Sequence, residues 1–266
     1  MRILLFGSNG MLGTYLHKYL SSFYEVIHIN RDIFDIENDN DEKLYTIIFN
    51  NSTIPSVIIN AAGVIPQRNI NNISKYIKVN TLFPHKIQYI IKDKNIPFIH
   101  ITTDCVFSGN LGNYNESSIK DSDTLYGVSK ALGEPNDACI IRTSIIGLEN
   151  DNKKSFIEWV ISNKNKSING YINHMWNGIT CLTLSKIIKY MIENNLYWKG
   201  VKHIYSPNSV SKYELCKIIN NIFKLNINIT EYYTDICDRT LSSIAPLEYK
   251  INDIKTQINE LYEFKI

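Results

Sequence analysis

Cysteine is scarce in this 266-residue chain and follows no metal or disulfide pattern. Cys105, Cys139, Cys181, Cys216 and Cys237 are widely spaced, odd in number, and form no CxxC or Cys/His cluster. That spacing argues against a zinc framework or a disulfide scaffold and leaves reduced thiols in a cytoplasmic protein as the expectation. The six histidines show no ligand spacing, so no metal is expected. No apolar run approaches the ~18 residues of a membrane span. The opening MRILLFG is too short for a signal segment and runs straight into a glycine turn. A net charge of +2 on scattered residues gives no electrostatic footprint for nucleic acid. Proline (7) and glycine (12) never gather into a linker, which predicts two lobes sharing an interface rather than two independent domains. There is no internal repeat.

What remains is an ordinary globular composition, 44% hydrophobic and 20% charged, long enough for a large core. Apolar runs alternate with amphipathic segments through the first half. RILLF (2–6), YEVIHI (24–29), SVIIN (56–60), PFIHIT (97–102) and ACIIRT (138–143) read as strands. Helical patterns fall between them at 10–21, 41–50, about 73–92 and after Thr124. Strands alternating with helices predict a parallel sheet covered on both faces. The expected fold is therefore α/β, a doubly wound (Rossmann-type) sheet over 1–146, followed by a smaller mixed C-terminal lobe over 147–266. In that second lobe helices are predicted at 153–163, 181–195 and 213–223, the last opened by the capping box SKYE (211–214). A short strand is predicted at 227–233, and VKHIYS (201–206) is expected to add to the main sheet.

The polar residues fall where such a sheet places ligands, at the carboxyl ends of strands. Gly7-Ser8-Asn9-Gly10-Met11-Leu12-Gly13 follows the first strand and opens the first helix, the position at which a dinucleotide's pyrophosphate meets a helix N-terminus. The spacing is GxxGxxG. Arg31 and Asp32 stand at the tip of the second strand. An arginine suits the 2′-phosphate of NADPH and an acid the 2′-hydroxyl of NADH, and Arg31 tips the reading to NADPH, with NADH the alternative. NAAG (60–63) supplies small residues where a dinucleotide crosses the sheet.

On the chemical side, Thr102, Thr103 and Asp104 leave the fourth strand, where they can serve a carbonyl or simply cap a turn. Tyr126 and Lys130 lie four residues apart, on one face of a helix. A lysine ammonium near a tyrosine favours the phenolate and draws its pKa toward neutrality. Reduction of a ketone needs a hydride at carbon and a proton at oxygen, and a tyrosine beside a threonine can manage the second.

The order GSNGMLG, RDIFDI, NAAG, VN (79–80), TTDCVF and YGVSK resembles the extended short-chain dehydrogenase/reductase superfamily. TTDCVFSG and YGVSKALGE are most similar to the dTDP-4-dehydrorhamnose reductase family. The resemblance implies a catalytic trio of Thr103, Tyr126 and Lys130. It implies cofactor contacts from Gly7, Asn9, Gly10, Met11 and Leu12, from Asp35 and Ile36 near the adenine, and from Ala61, Ala62, Gly63 and Lys130. Asp104 is expected beside the substrate. Departures fall at the sugar: Cys105 replaces a tyrosine, Ile145 a tryptophan, and GVIPQR (63–68) a polar continuation, which brings in Gln67 and Arg68. Arg239 stands near the family's Arg-Pro segment and is expected on the substrate diphosphate, and Trp176 is expected in a loop over the cleft. The implied reaction is NADPH-dependent reduction of the 4-keto group of a dTDP- or UDP-linked 4-keto-6-deoxysugar, with a homodimer as the expected assembly. An epimerase or dehydratase that retains NAD, and a non-catalytic reductase-like regulatory subunit, stay open.

Overall fold

The structure is a computed structural model that describes residues 1–49, 54–66, 72–150 and 153–264. Among these, six strands form one wholly parallel sheet: β1 (Arg2–Phe6), β2 (Glu25–Ile29), β3 (Val57–Asn60), β4 (Phe98–Thr103), β5 (Cys139–Thr143) and β10 (Gly200–His203). The spatial order is β2-β1-β3-β4-β5-β10, so the chain changes direction across the sheet between β1 and β3. The expected doubly wound sheet is observed.

The central strands are buried along their whole length, as unbroken apolar runs require. Alternate side chains feed two cores. Leu4, Phe6, Ile58 and Ile140 pack on one face with Leu44 of α2 (Asp41–Phe49) and with Phe83, Ile87 and Ile91 of α4 (Phe83–Ile91). Ile3, Leu5, Ile59 and Ile141 enter the other core with α1 (Met11–Leu20) and α7 (Cys181–Glu193). That second core runs without a break into the C-terminal lobe, through Ile157 of α6 (Phe156–Ser162), Leu215 of α8 (Lys212–Phe223) and Ile258 of α9 (Ile254–Glu263).

The lobe contains three small strand groups. β7 (Ser167–Tyr171) pairs in parallel with β12 (Asn228–Tyr232). β8 (His174–Trp176) lies between β11 (Val210–Ser211) and β13 (Cys237–Asp238). β6 (Ile145–Ile146) pairs with β9 (Ile179–Thr180). The SKYE box caps α8 as expected: Glu214 N donates to Ser211 Oγ (3.1 Å), and Ser211 N donates to Glu214 Oε2 (2.7 Å). Trp176 departs from expectation, because it ends strand β8 and is buried rather than riding in a loop.

The long helix before β4 is not uniform. α3 (Ile73–Tyr76) and α4 are joined by a π-helical stretch, Ile77–Leu82, and such stretches recur at functional sites. Its buried Asn80 accepts from Val64 N (2.8 Å) and donates to Val64 O (3.0 Å) and Ser129 Oγ (3.0 Å). One amide thus joins this helix to the segment after β3 and to α5 (Leu125–Leu132). Among the described residues no helix is long and apolar enough to cross a membrane.

Candidate active site

A cleft of about 380 Å³ opens over the carboxyl ends of the sheet strands. Its floor is the turn Gly10-Met11-Leu12 and the segment Ala61-Ala62-Gly63. Gly7 has φ +77, and a Cβ there would lie 2.5 Å from Ala62 N, so only glycine permits this approach of the turn to β3. A Cβ on Gly13 would lie 2.1 Å from Gly7 O, which keeps the start of α1 tight against the same turn. The N-cap of α1, Gly10, offers no side-chain acceptor and the first turn carries no acid, leaving the helix's positive end to an anion. Asn60 turns the chain after β3 by accepting from Ala62 N (3.0 Å). Among the described residues no cluster of His, Cys, Asp or Glu is placed to hold a metal ion.

The opposite wall carries Thr102, Thr103, Asp104, Cys105, Tyr126 and Lys130. The Thr103 hydroxyl donates to Asp104 Oδ1 (3.0 Å) and accepts from Cys105 N (3.1 Å), and it lies near enough to the Tyr126 phenol to influence its pKa. Lys130 Nζ donates to Ile101 O (2.8 Å) and is buried. Burial lowers its pKa to about 8, with the Glu134 carboxylate opposing the shift. The Tyr126 phenol runs opposite to the expected lowering. Burial holds it above its ordinary value, the neighbouring Cys105 and Asp104 push the same way, and the Thr103 hydroxyl only partly opposes them. Burial likewise raises Asp104, against the Thr103 hydrogen bond and the charges of Arg239 and Lys212, and pushes the Cys105 thiol to about 12.

Thr124 caps α5 through its Oγ1, which accepts from Gly127 N (3.0 Å). Gly127 is where α5 touches the loop after β4: a Cβ there would lie 2.2 Å from Cys105 O. The far end of α5 is held by Arg142 on β5, whose Nε and Nη2 donate to the two Glu134 oxygens (3.1 and 2.7 Å). Arg142 Nη1 donates to His203 Nε2 (2.8 Å) on β10, a ring whose Nδ1 faces the carbonyls of Tyr114 and Ser242.

The C-terminal lobe closes the cleft with Trp176, Phe156 and Lys212, while Ile145 and Ser144 line it from the end of the main sheet. Trp176 Nε1 donates to Ser144 Oγ (2.8 Å), and Ser144 stands close enough to the Asp104 carboxyl to lower its pKa against the effect of burial. Glu149 Oε2 accepts from the backbone of Lys154 (2.6 Å) and Ser155 (2.7 Å) at the entry to α6.

The cleft thus gathers Gly10, Met11, Leu12, Ala61, Ala62, Gly63, Thr103, Asp104, Cys105, Tyr126, Lys130, Ile145 and Trp176 from the sequence expectations. Gly7 supports the turn from below, and Asn9 is exposed beside it. Asp35 and Ile36 stand apart from the cleft, Ile36 packing with Tyr76, Val79 and Tyr126 around Val64. Arg31 is exposed and paired with Glu37 and, at 3.4 Å, with Asp35. Arg239 does not line the cleft: its Nε and Nη2 donate to the carbonyls of Phe107 (3.0 Å) and Ser108 (3.1 Å). Gln67 and Arg68 lie outside the described residues. Sequence reasoning passed over Ser144, Phe156 and Lys212. Ser144 sits beside Ile145 in RTSIIG and Lys212 inside the capping box SKYE, so both were within motifs read for other reasons.

A doubly wound sheet with a glycine turn at its switch point and polar strand ends under a second lobe defines the class as a dinucleotide-binding α/β fold. Residues 1–232 match the family described as RmlD substrate binding domain, and the chain belongs to that family. It superposes on a dTDP-4-dehydrorhamnose reductase from Bacillus anthracis str. Ames solved with NADP, at a TM-score of 0.82, with 19% identity and 98% of each chain covered. A hypothetical dTDP-4-dehydrorhamnose reductase from Sulfolobus tokodaii is 27% identical over 96% of this chain and 98% of that one, with a TM-score of 0.77. The spore coat polysaccharide biosynthesis protein SpsK of Bacillus subtilis (strain 168) is 28% identical over 152 residues, 54% of this chain and 52% of that protein, so the chain spans about half the length of this curated relative. The resemblance to the reductase family is borne out.

Proposed function

We propose that the chain is an NADPH-dependent reductase of a nucleotide-linked keto sugar, acting on the 4-keto group of a 4-keto-6-deoxysugar in deoxysugar or polysaccharide biosynthesis. The observation that carries this reading is the meeting of Thr103, Tyr126 and Lys130 on one wall of a cleft whose floor is the glycine turn and Ala61–Gly63. The cap-free, acid-free start of α1 and the missing Cβ atoms at Gly7 and Gly13 fit a dinucleotide pyrophosphate. The solved relative from B. anthracis was crystallised with NADP. In this reading the sheet lobe (1–146) holds the coenzyme and the second lobe (147–266) the sugar nucleotide. Gly7, Asn9, Gly10, Met11 and Leu12 take the pyrophosphate, Asp35 and Ile36 the adenosine end, and Arg31 the 2′-phosphate.

When bound, NADPH supplies hydride to the carbonyl carbon. The protein's part is to place the carbonyl and deliver the proton. Its phenol pKa held high, Tyr126 stays protonated at neutral pH and can donate as negative charge develops on the ketone oxygen. The Thr103 hydroxyl, held by Cys105 N, can polarise the same oxygen when its proton turns from Asp104 to the ketone. Lys130, on the same helical face as Tyr126, places its charge to stabilise the phenolate left behind and to bond the coenzyme ribose. The buried hydrogen bond between Thr103 and Asp104 helps to keep this constellation in a single arrangement.

The test is NADPH oxidation against a panel of dTDP-, UDP- and GDP-linked 4-keto sugars, repeated with Tyr126→Phe. The expected outcome is turnover on at least one member and a loss of at least a hundredfold in the variant with NADPH affinity retained. Turnover without added NADPH by a protein carrying tightly held NAD would replace the reading with an epimerase or dehydratase. Full activity in the variant would remove Tyr126 from its role.

A further inference from the structure

Two cations that the catalytic trio does not use line the cleft, Lys154, which is exposed, and Lys212. Lys212 is the first residue of α8 and projects into the cleft from the C-terminal lobe, opposite the wall that carries Tyr126. Its Nζ stands over two rings, 4.6 Å from the centre of Phe156 and 5.0 Å from that of Trp176. Among the described residues no carboxylate lies within ion-pair distance of it. Asp104 is near enough to be felt, but Thr103 donates to its Oδ1 and it forms no ion pair with Lys212. The carboxylate at the start of α8, Glu214, is likewise committed to its cap on Ser211. The aromatic walls hold the ammonium in place by cation–π attraction, yet they satisfy none of its three N–H donors.

A half-buried ammonium that faces a cleft without a counter-ion is placed to meet an anion that enters it. The other cations near the cleft are otherwise disposed: Lys130 is bonded to Ile101 O, and Lys154 is exposed. Arg239, the expected diphosphate ligand, holds the Phe107 and Ser108 carbonyls of the loop after β4. A ligand that spans from Tyr126 to Lys212 must carry its ketone at one end and negative charge at the other. A neutral sugar hydroxyl would give Lys212 a hydrogen bond but would not offset the desolvation of a full charge; a phosphate does both.

Resting on the proposed sugar-nucleotide reading, we infer that Lys212 is the diphosphate-recognising residue of the substrate site, held ready over Trp176 and Phe156. It sets specificity for nucleoside-diphosphate sugars over free ketoses.

Calorimetric titration of the NADP-loaded enzyme with UDP, dTDP, GDP, uridine and inorganic pyrophosphate tests this. At least one nucleoside diphosphate is expected to bind, and UDP, if it is the one taken, at least tenfold tighter than uridine. Lys212→Met should weaken that diphosphate by about ten- to a hundredfold, as loss of a charged hydrogen bond does. Lys212→Arg should keep most of the affinity, and NADP binding should be retained in both, which also reports that they fold. Equal diphosphate affinity in Lys212→Met and wild type, or a loss carried by Lys154→Gln instead, overturns the assignment and leaves the proposed reaction standing. If the wild type binds NADP but no nucleoside diphosphate, the sugar-nucleotide reading fails and this inference with it.

Discussion

The buried ion pair between Arg142 and Glu134 offers a quantitative test of how the catalytic helix is held. Side-chain exposure is 2% for Arg142 and 3% for Glu134, and the pair is bidentate. Removing one partner of such a pair strands the other in low dielectric, at a cost of about 3–5 kcal/mol. The two truncations should differ. Glu134 keeps a second cation, Lys120 at 3.1 Å, when Arg142 is lost. Arg142 keeps only the His203 ring and the face of Phe107, 5.2 Å away, when Glu134 is lost. Glu134→Leu should therefore be the more damaging, near the upper end of the range, and Arg142→Met near the lower end. In a chain of this size that corresponds to a fall in Tm of roughly 10 °C.

The double variant Glu134→Leu/Arg142→Met removes both charges together, and hydrophobic replacement of a buried pair is often close to neutral. It should recover most of the loss, giving a coupling of at least about 2 kcal/mol in a double-mutant cycle. Urea denaturation of the four proteins measures all of this. Additive single effects, or singles within 1 kcal/mol of wild type, would show that the pair neither carries stability nor fixes α5. Recovery of stability without recovery of turnover would show that Arg142 also orients the catalytic end of α5.

Two further outcomes follow from charged groups around the coenzyme. Lys130 is depressed to about 8 in the folded chain from 10.5. Between those values the unfolded chain holds the extra proton, so wild-type stability should rise with pH from about 8 toward 10, where tyrosines begin to titrate. At pH 7 the buried ammonium is a burden of about 3 kcal/mol at most. Lys130→Met should accordingly match or exceed wild-type stability at pH 7 in urea titrations while losing activity, and a flat difference between pH 7 and 9.5 would refute the shift. At the proposed adenosine end, the Glu37 carboxylate lies between Arg31 and Lys75, the latter at 2.7 Å. Glu37→Gln should free Lys75, leave Arg31 with Asp35 alone, and tighten NADPH by up to about fivefold, close to 1 kcal/mol, with NADH unchanged. Equal changes in both affinities, followed by fluorescence titration, would separate Arg31 from the 2′-phosphate.

The main sheet was legible because buried parallel strands are unbroken apolar runs, and RILLF, SVIIN and PFIHIT need no tertiary information to be seen as such. Apart from β12, the strands of the second lobe were not. β8, β9, β11 and β13 are two or three residues long and exist only through partners distant in sequence, such as Trp176 with Val210. α9 escaped notice because its buried set is small and includes a glutamine, Gln257, which donates to Ser206 Oγ at 2.7 Å. In the site, residues carried by strand ends and the glycine turn were legible, since topology alone sends them to the cleft. Lys212 and Ser144 reach it through tertiary packing. The pKa of Tyr126 was misjudged for a related reason: spacing puts a lysine on the same helical face, but does not reveal the burial that raises the phenol.

The segment TLYGVSKALGE shows why its residues come as a block. Only Tyr126 and Lys130 face the cleft with chemistry to perform. The remainder determines where those two stand. Thr124 starts the helix, and Gly127 lets it approach Cys105 O within a distance no side chain would tolerate. Ser129 takes the Asn80 amide, and Thr81 Oγ1 donates to Ser129 O at 2.8 Å. A Cβ on Gly133 would lie 1.8 Å from Asn80 O, so the helix end presses on the π-helical stretch, and Glu134 then locks it to β5 through Arg142. Five of these contacts are to elements that also carry the cleft: the loop after β4, the π stretch that holds Val64, and β5. A change that shifts α5 therefore moves Tyr126 relative to Thr103 and to the floor together, and activity should be lost well before stability. The conservative positions to probe for a purely positional effect are thus the glycines and Ser129, whose side chains, or lack of them, never meet a substrate.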